Sequence, residues 1–173
     1  MDYSIIDLTT KTVKYEHHPL VEILSKYDPK KYDRLNWDDY FISQALLTSF
    51  RSPSEKLQVG AIIVRDNRII TTGYNGYFPN APHQSISVDD HEVNTVHAEQ
   101  NALAEAAKRG VSVNGSIMYI THYPCINCAK MIIACGITQV KYLNDYKKDP
   151  ITQELFGQME ILVSKHGSHF FDK

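Results

Sequence analysis

The sequence predicts an α/β fold, a three-layer α/β/α sandwich around a mixed five-stranded sheet. Three observations carry this expectation. From residue 97 onward, helical and strand patterns alternate three times, which calls for parallel strands joined by crossover helices that cover the sheet. Upstream, two short runs flank Asp66-Asn67, a turn pair suited to a hairpin, so the sheet also has an antiparallel part. The 173 residues are 43% hydrophobic and 22% charged, ordinary values for a globular domain with one sizeable core.

Taken in order, residues 1–35 read as an N-terminal extension. They are rich in Lys, Asp and Tyr, are broken at His17-His18-Pro19 and Asp28-Pro29, and include a short amphipathic helix over 20–27. Residues 36–173 read as a single domain. Asn36 suits the N-cap of a helix whose apolar face draws on Trp37, Tyr40, Phe41, Ala45, Leu46 and Phe50, and which ends at Arg51-Ser52-Pro53-Ser54. Strands follow over 59–64 and 68–73. Residues 74–95 lack periodicity and contain Gly76, Pro79 and Pro82, the pattern of a long functional loop. The Ala-rich stretch 96–108 is a helix stopped by Gly110. A strand over 116–121, a helix over 125–135 closed by Gly136, a strand over 139–143, a short helix over 151–156 and an edge strand over 160–163 complete the chain.

Eighteen basic and twenty acidic side chains give a formal charge of -2. That balance argues against a large nucleic-acid partner but leaves room for a small anionic ligand. The opening residues do not resemble a signal peptide and no apolar run is long enough to span a bilayer, so a cytoplasmic protein without a membrane partner is expected. Three cysteines, Cys125, Cys128 and Cys135, crowd one short segment. An odd, clustered count points to metal ligation or redox chemistry rather than a disulfide framework.

Two fragments carry chemistry: His97-Ala98-Glu99 and Pro124-Cys125-Ile126-Asn127-Cys128. Each opens a helix. One imidazole and two thiolates suit Zn²⁺ with a fourth position open to water, the arrangement of a catalytic rather than a structural site. Cys125 and Cys128 lie three apart, on the same side of a first helical turn, and Pro124 can start that turn without losing a needed N–H. Glu99 follows His97 by two residues. The pair converges only where His97 occupies the cap, outside regular helix. Alone, the Cys-x-x-Cys could be a thioredoxin-like redox pair, His97 an ordinary histidine and Glu99 a helix-start acid. Together they match His-x-Glu…Pro-Cys-x-x-Cys, the signature of zinc-dependent deaminases. Cys135 reads as a small packed residue, and His17, His18, His166 and His169 as solvated or terminal side chains.

Beyond these fragments the chain resembles the deoxycytidylate (dCMP) deaminases of the cytidine/deoxycytidylate deaminase superfamily. The resemblance covers roughly residues 36–150. It rests on Trp37-Asp38-Asp39-Tyr40-Phe41, Gln58-Val59-Gly60-Ala61, Gly73-Tyr74-Asn75-Gly76, His97 through Ala102, and Pro124 through Lys130. Nucleoside-level cytidine deaminases usually carry Cys where this chain has His97. The tRNA adenosine deaminases usually carry Glu-Pro-Cys where it has Tyr123-Pro124-Cys125.

The resemblance implies a cytidine deaminase-like fold with one catalytic zinc per chain on His97, Cys125 and Cys128. It implies hydrolysis of dCMP to dUMP and ammonia, supplying dUMP for thymidylate synthesis. Glu99 would carry the water's proton to N3 of cytosine and then a proton to the departing amine. Asn75 would bond the deoxyribose hydroxyl, the Ala98 N–H the pyrimidine carbonyl, and Tyr123 would pack on the substrate, with core packing as its alternative. Arg51 and Lys56 fall where family members bind effector nucleotides and are candidate effector or phosphate contacts; surface charge is the other reading. Pro82-His83-Gln84 stands where relatives often have cysteines, so a second zinc site is not implied. A small-molecule nucleotide substrate and a homo-oligomer, hexamers included, are expected. Two other readings remain: a deaminase of dCTP, cytidine or adenosine in tRNA, and a zinc-bound interaction module with a degenerate site.

Overall fold

The computed structural model describes residues 34–84, 86–88 and 91–167. The helix expected over 20–27, and all but the last two residues of the N-terminal extension, lie outside them. Helix α1 (Trp37–Ser49) is capped by Asn36, whose side chain accepts the Asp39 N–H at 2.8 Å. Its buried face is Phe41, Ile42, Ala45 and Ser49, whereas Trp37, Tyr40 and Phe50 are 44%, 38% and 49% exposed. Of the expected apolar face, Phe41 and Ala45 are buried and Leu46 half-buried, whereas Trp37, Tyr40 and Phe50 turn outward and Ile42 joins the core instead. Apolar side chains fall on more than one side of this helix, Trp37, Tyr40 and Leu47 as well as Phe41, Ile42 and Ala45, so periodicity alone could not choose the stripe that meets the sheet.

Strands β1 (Gly60–Arg65) and β2 (Arg68–Tyr74) form the expected hairpin. Asp66 and Asn67 both sit at positive φ, 52° and 56°, the turn whose twist matches that of the strands. The segment 74–95 is not wholly irregular. Strand β3 (Gly76–Tyr77) pairs antiparallel with β6 (Thr95–Val96), and β4 (Ser87–Val88) with β5 (His91–Glu92). Ladders this short give no alternation to read. Helix α2 (Ala98–Lys108), strand β7 (Ile117–His122), helix α3 (Ile126–Ala134), strand β8 (Gln139–Asn144), helix α4 (Pro150–Gln158) and strand β9 (Leu162–Lys165) follow. Strand β9 begins two residues later than expected, because Met159 to Ile161 are spent closing α4: Ile161 N–H donates to the Phe156 carbonyl and Glu160 takes a positive φ.

The main sheet runs β2-β1-β7-β8-β9. Strand β1 is antiparallel to both neighbours, while β7, β8 and β9 are parallel, so the sheet is mixed as expected. Alternation along β1 splits the core into two layers. Ile62 and Val64 face α1, packing with Phe41, Ile42, Ala45 and Tyr119. Ala61 and Ile63 face the other side, with Met118, Ile120, the Ala98-Ala102-Ala106 stripe of α2, Ala129 and Ile132 of α3, and Phe156 of α4. Helix α1 is fastened by polar side chains as well. Asp38 accepts from Tyr119 Oη and Lys141 Nζ, and Asp39 pairs with His166 Nε2 at 2.8 Å. His166 is thus a paired side chain at the edge of the sheet, not the solvated one expected. Among the described residues no helix is long and apolar enough to cross a membrane.

Two glycines set helix–sheet distances that matter for the site. A Cβ on Gly60 would strike the α1 backbone at Ala45 and Ser49, and one on Gly73 would strike the α2 backbone at Ala98 and Ala102. Strand β2 therefore lies directly against the first turn of α2. Asn101 Nδ2 donates to the Tyr74 carbonyl at 2.8 Å, and Thr71 Oγ1 to the Ala102 carbonyl at 3.2 Å, fixing that turn in place.

Candidate active site

The register brings one end of the sheet into use. Gly60 pairs with Tyr74, Ala61 with Ile120, and His122 with Asn144, so the start of β1 and the ends of β2, β7 and β8 converge. Helices α2 and α3 both begin at this end. His97 is the N-cap of α2 in extended conformation, φ −65° and ψ 154°. That is the geometry needed to bring it round to Glu99. Cys125 is the N-cap of α3, equally extended, and Cys128 is one turn in. Tyr123 N–H donates to the Asn144 carbonyl at 3.0 Å, which sets the exit of the chain from β7.

These two helix starts meet. His97 Nδ1 lies 3.6 Å from Cys125 Sγ and 3.4 Å from Cys128 Sγ, and all three donor atoms fall within 4.8 Å of one another. A tetrahedral ion with Zn–N near ~2.05 Å and Zn–S near ~2.3 Å holds such atoms roughly 3.6 Å apart. The donor set and its spacing fit zinc. Among the described residues no second cluster of this kind occurs, and His83 stacks on Tyr77 with ring centres 5.0 Å apart. Hydrogen bonding from Cys128, and from His97 against the cost of burial, pulls the Cys125 thiol down to about 3. The His97 imidazole is pushed up, chiefly by its bond to Cys125.

Glu99 is only 4% exposed. Burial pushes its carboxyl up to about 7, against the pull of its own backbone N–H and of His97. A carboxyl with that poise can both accept and donate a proton near neutral pH.

A cleft of about 210 Å³ opens over these groups. His97, Ala98, Glu99 and Cys125 line it, as do Asn75, Tyr123 and Lys56 from the sequence-based set. Cys128 lies behind them, fully buried. Arg51 does not reach the cleft lining; it is exposed just past the end of α1, where Ser52 turns the chain away through a bond from its hydroxyl to the Asn75 carbonyl. The Asn75 amide bridges the segment before β1, accepting Val59 N–H at 2.7 Å and donating to the Leu57 carbonyl at 2.8 Å. One amide hydrogen and one lone pair are left over. Tyr123 is 4% exposed, packs edge-on against Tyr142 at 5.0 Å, and its hydroxyl has no partner among the described residues.

Sequence reasoning missed His122, Tyr146 and Lys147, which also line the cleft. His122 is the last residue of β7, and Tyr146 and Lys147 come just after the end of β8. The rule that ligands bind beyond the carboxyl ends of parallel strands was the signal that pointed to them.

The fold and the donor set are those of a nucleobase-modifying deaminase of the α/β/α class. Residues 35–144 match the family model described as the cytidine and deoxycytidylate deaminase zinc-binding region, and the chain belongs to this family. It is 44% identical over 137 residues to the ComE operon protein 2 of Bacillus subtilis, covering 77% of this chain and 72% of that one. It is 40% identical over 157 residues to a probable deoxycytidylate deaminase of Drosophila melanogaster, covering 81% and 76%. Among solved structures, the dCMP deaminase of cyanophage S-TIM5 in complex with dCMP and dUMP superimposes with a TM-score of 0.70 at 31% identity, over 78% of this chain and all of that one.

Proposed function

We propose that this protein deaminates dCMP to dUMP and ammonia and so supplies dUMP for thymidylate synthesis. The observation that carries the reading is Glu99. A buried carboxyl standing beside a convergent His/Cys/Cys group is of no use to a structural metal site and is what hydrolytic deamination needs. The family and its deoxycytidylate deaminase relatives support the choice of substrate.

His97, Cys125 and Cys128 hold one zinc ion per chain. Bound there, zinc supplies Lewis acidity that brings the ionisation of a water close to neutrality. The remaining steps fall to the protein's own groups. Glu99 takes the proton of the attacking water and passes it to N3 of the ring, which makes C4 electrophilic. It then carries a second proton to the amine as the C4–N bond breaks, and ammonia leaves. The first turns of α2 and α3 direct backbone N–H groups and their positive dipole ends at the developing charge. Ala98 N–H holds the pyrimidine carbonyl, a role supported by its position at the start of α2 in the cleft lining. The spare amide hydrogen of Asn75 serves the deoxyribose hydroxyl, and Tyr123 forms the wall against the sugar or base. Lys56 and Lys147 give the cleft the cationic character that a 5′-phosphate requires.

Residues 36–173 make up the deaminase domain, with 1–35 as an extension, in a cytoplasmic homo-oligomer. The exposed Tyr40, Leu47 and Phe50 on the outer side of α1 support assembly. Ammonia release from a panel of dCMP, dCTP, cytidine, deoxycytidine and adenosine-containing RNA tests the assignment. Turnover of dCMP should exceed that of deoxycytidine by at least about tenfold, since unpaired buried donors are costly. Equal rates, or a nucleoside preference, would move the chain out of the nucleotide branch.

A further inference from the structure

At the end of β7 three groups stand in a row. Gly60 N–H donates to Thr121 Oγ1 at 3.1 Å, and Thr121 Oγ1 lies 2.9 Å from His122 Nδ1. Thr121 is 1% exposed, so its hydroxyl hydrogen needs an acceptor inside the protein. A proton on Nδ1 would send a second donor to the Thr121 oxygen and strand that hydroxyl hydrogen. If the hydroxyl donates to Nδ1 instead, every hydrogen in the row is used, and the ring proton resides on Nε2. Burial holds the imidazole below its ordinary value, which favours the neutral ring.

The ring that this row orients lines the cleft. Tyr146 packs edge-on against it with centres 6.1 Å apart, and Lys147 comes next in the chain, at a positive φ of 40°. A non-glycine residue held in the left-handed region is an unfavourable arrangement that recurs at ligand sites. The cleft lining therefore joins an oriented donor and a cation, neither of them a member of the His/Cys/Cys group.

We infer that the Gly60–Thr121–His122 row is a specificity device, with Thr121 positioning His122 as an Nε2–H donor to an anionic oxygen of the ligand. The inference rests on the nucleotide reading above and deepens it. The donor is a second means, beside the lysines, of telling a phosphorylated ligand from a bare nucleoside. Unlike a lysine, it does so with fixed direction.

The test compares kcat/KM for dCMP and deoxycytidine in the native protein and in Thr121→Val, His122→Leu and His122→Gln, together with nitrogen NMR of the imidazole rings. The native spectrum should show His122 protonated on Nε2, and Thr121→Val should give a mixture of tautomers. The dCMP-over-deoxycytidine ratio should fall about tenfold or more in His122→Leu, the size of a lost bond to a charged group. It should fall less in Thr121→Val, and Gln, whose amide nitrogen can stand near the Nε2 position, should restore part of it. An Nδ1–H tautomer in the native protein, an unchanged ratio in His122→Leu, or equal losses on both substrates would overturn the inference. A native protein without preference for dCMP would overturn the nucleotide reading itself, and is told apart from the other outcomes by the unsubstituted enzyme alone.

Discussion

Replacing Gly73 with alanine should damage the site from behind. A Cβ at this position would sit within 3.0 Å of the Ala98 carbonyl oxygen and the Ala102 nitrogen, both backbone atoms of α2 and neither able to swing aside. Restoring ordinary contact at ~3.5 Å or more requires β2 and α2 to part by roughly 1 Å. Overpacking of this kind costs about 1–3 kcal/mol, which for a domain of this size lowers Tm by roughly 3–10 °C. The larger effect is on chemistry. The turn that moves carries His97, Ala98 and Glu99, while Cys125 and Cys128 stay with α3. A misplacement of ~1 Å at a reacting centre can cost about 10²-fold in rate. The assay is kcat/KM on dCMP alongside zinc content and a thermal melt. Gly110→Ala is the control. Its φ of 66° makes alanine unfavourable by about 1–2 kcal/mol, but nothing lies within 4 Å of the added atom, so Tm should fall by a few degrees and turnover should hold. A Gly73→Ala protein with native Tm and native turnover would refute the close-approach argument. A lowered Tm with native turnover would refute the link from strand spacing to catalysis.

Three further outcomes follow from the same geometry. Glu99→Gln should keep zinc and fold and lose at least about 10²–10⁴-fold in rate, the range for one acid–base group; near-native turnover with zinc retained would remove the assignment. Cys125→Ser and Cys128→Ser should each lose most of the metal by elemental analysis and all turnover, and dialysis of the native protein against a chelator should abolish activity until zinc is returned. Asp38→Asn should lower stability in a pH-dependent way: burial raises the Asp38 carboxyl, but the bonds from Lys141 and Tyr119 outweigh it and leave the group below its usual value. A depressed folded value means that the stabilisation is present above the unfolded value and is lost as pH falls through the folded one. Denaturation midpoints of the native and substituted proteins should therefore differ at pH 7 and converge as the solution is acidified below about pH 4.

The catalytic group was legible because its residues are close in sequence and chemically distinctive. His97 and Glu99 share one turn, Cys125 and Cys128 another, and the intervening helix and strand bring the two together. The hairpin was legible because Asp66-Asn67 tolerates two positive φ angles. What was hidden depended on partners distant in the chain. Tyr40, Trp37 and Phe50 look as apolar as Phe41 and Ile42; only the docking of Gly60 against Ala45 and Ser49 decides which side of α1 is inside. His166 reads as a terminal histidine until Asp39, more than a hundred residues earlier, is placed beside it. His122 carries no motif, and its significance lies in a hydroxyl from the preceding residue and an N–H from another strand. Arg51 lies close in sequence to the cleft-lining Ser54 and Lys56, yet the turn through Ser52 takes it out of the cleft.

The register also tells where the chain can be altered without touching the reaction. The cleft gathers at the end of the sheet marked by Gly60, Tyr74, His122 and Asn144, whereas Arg65 pairs with Arg68, and Val64 with Ile117, at the other end. Five residue steps along β1 separate the two, roughly 17 Å at ~3.4 Å each. The hairpin tip at Asp66 and Asn67 is exposed and belongs to that remote end. A peptide tag or a tethered dye spliced in there would hang from the far side of the molecule, out of the path of entering substrate and departing ammonia. Ser54, Lys56, Leu57, Asn75, Tyr146 and Lys147, which line the cleft from the connections between elements, are the positions at which exchanged residues would retune what the molecule accepts.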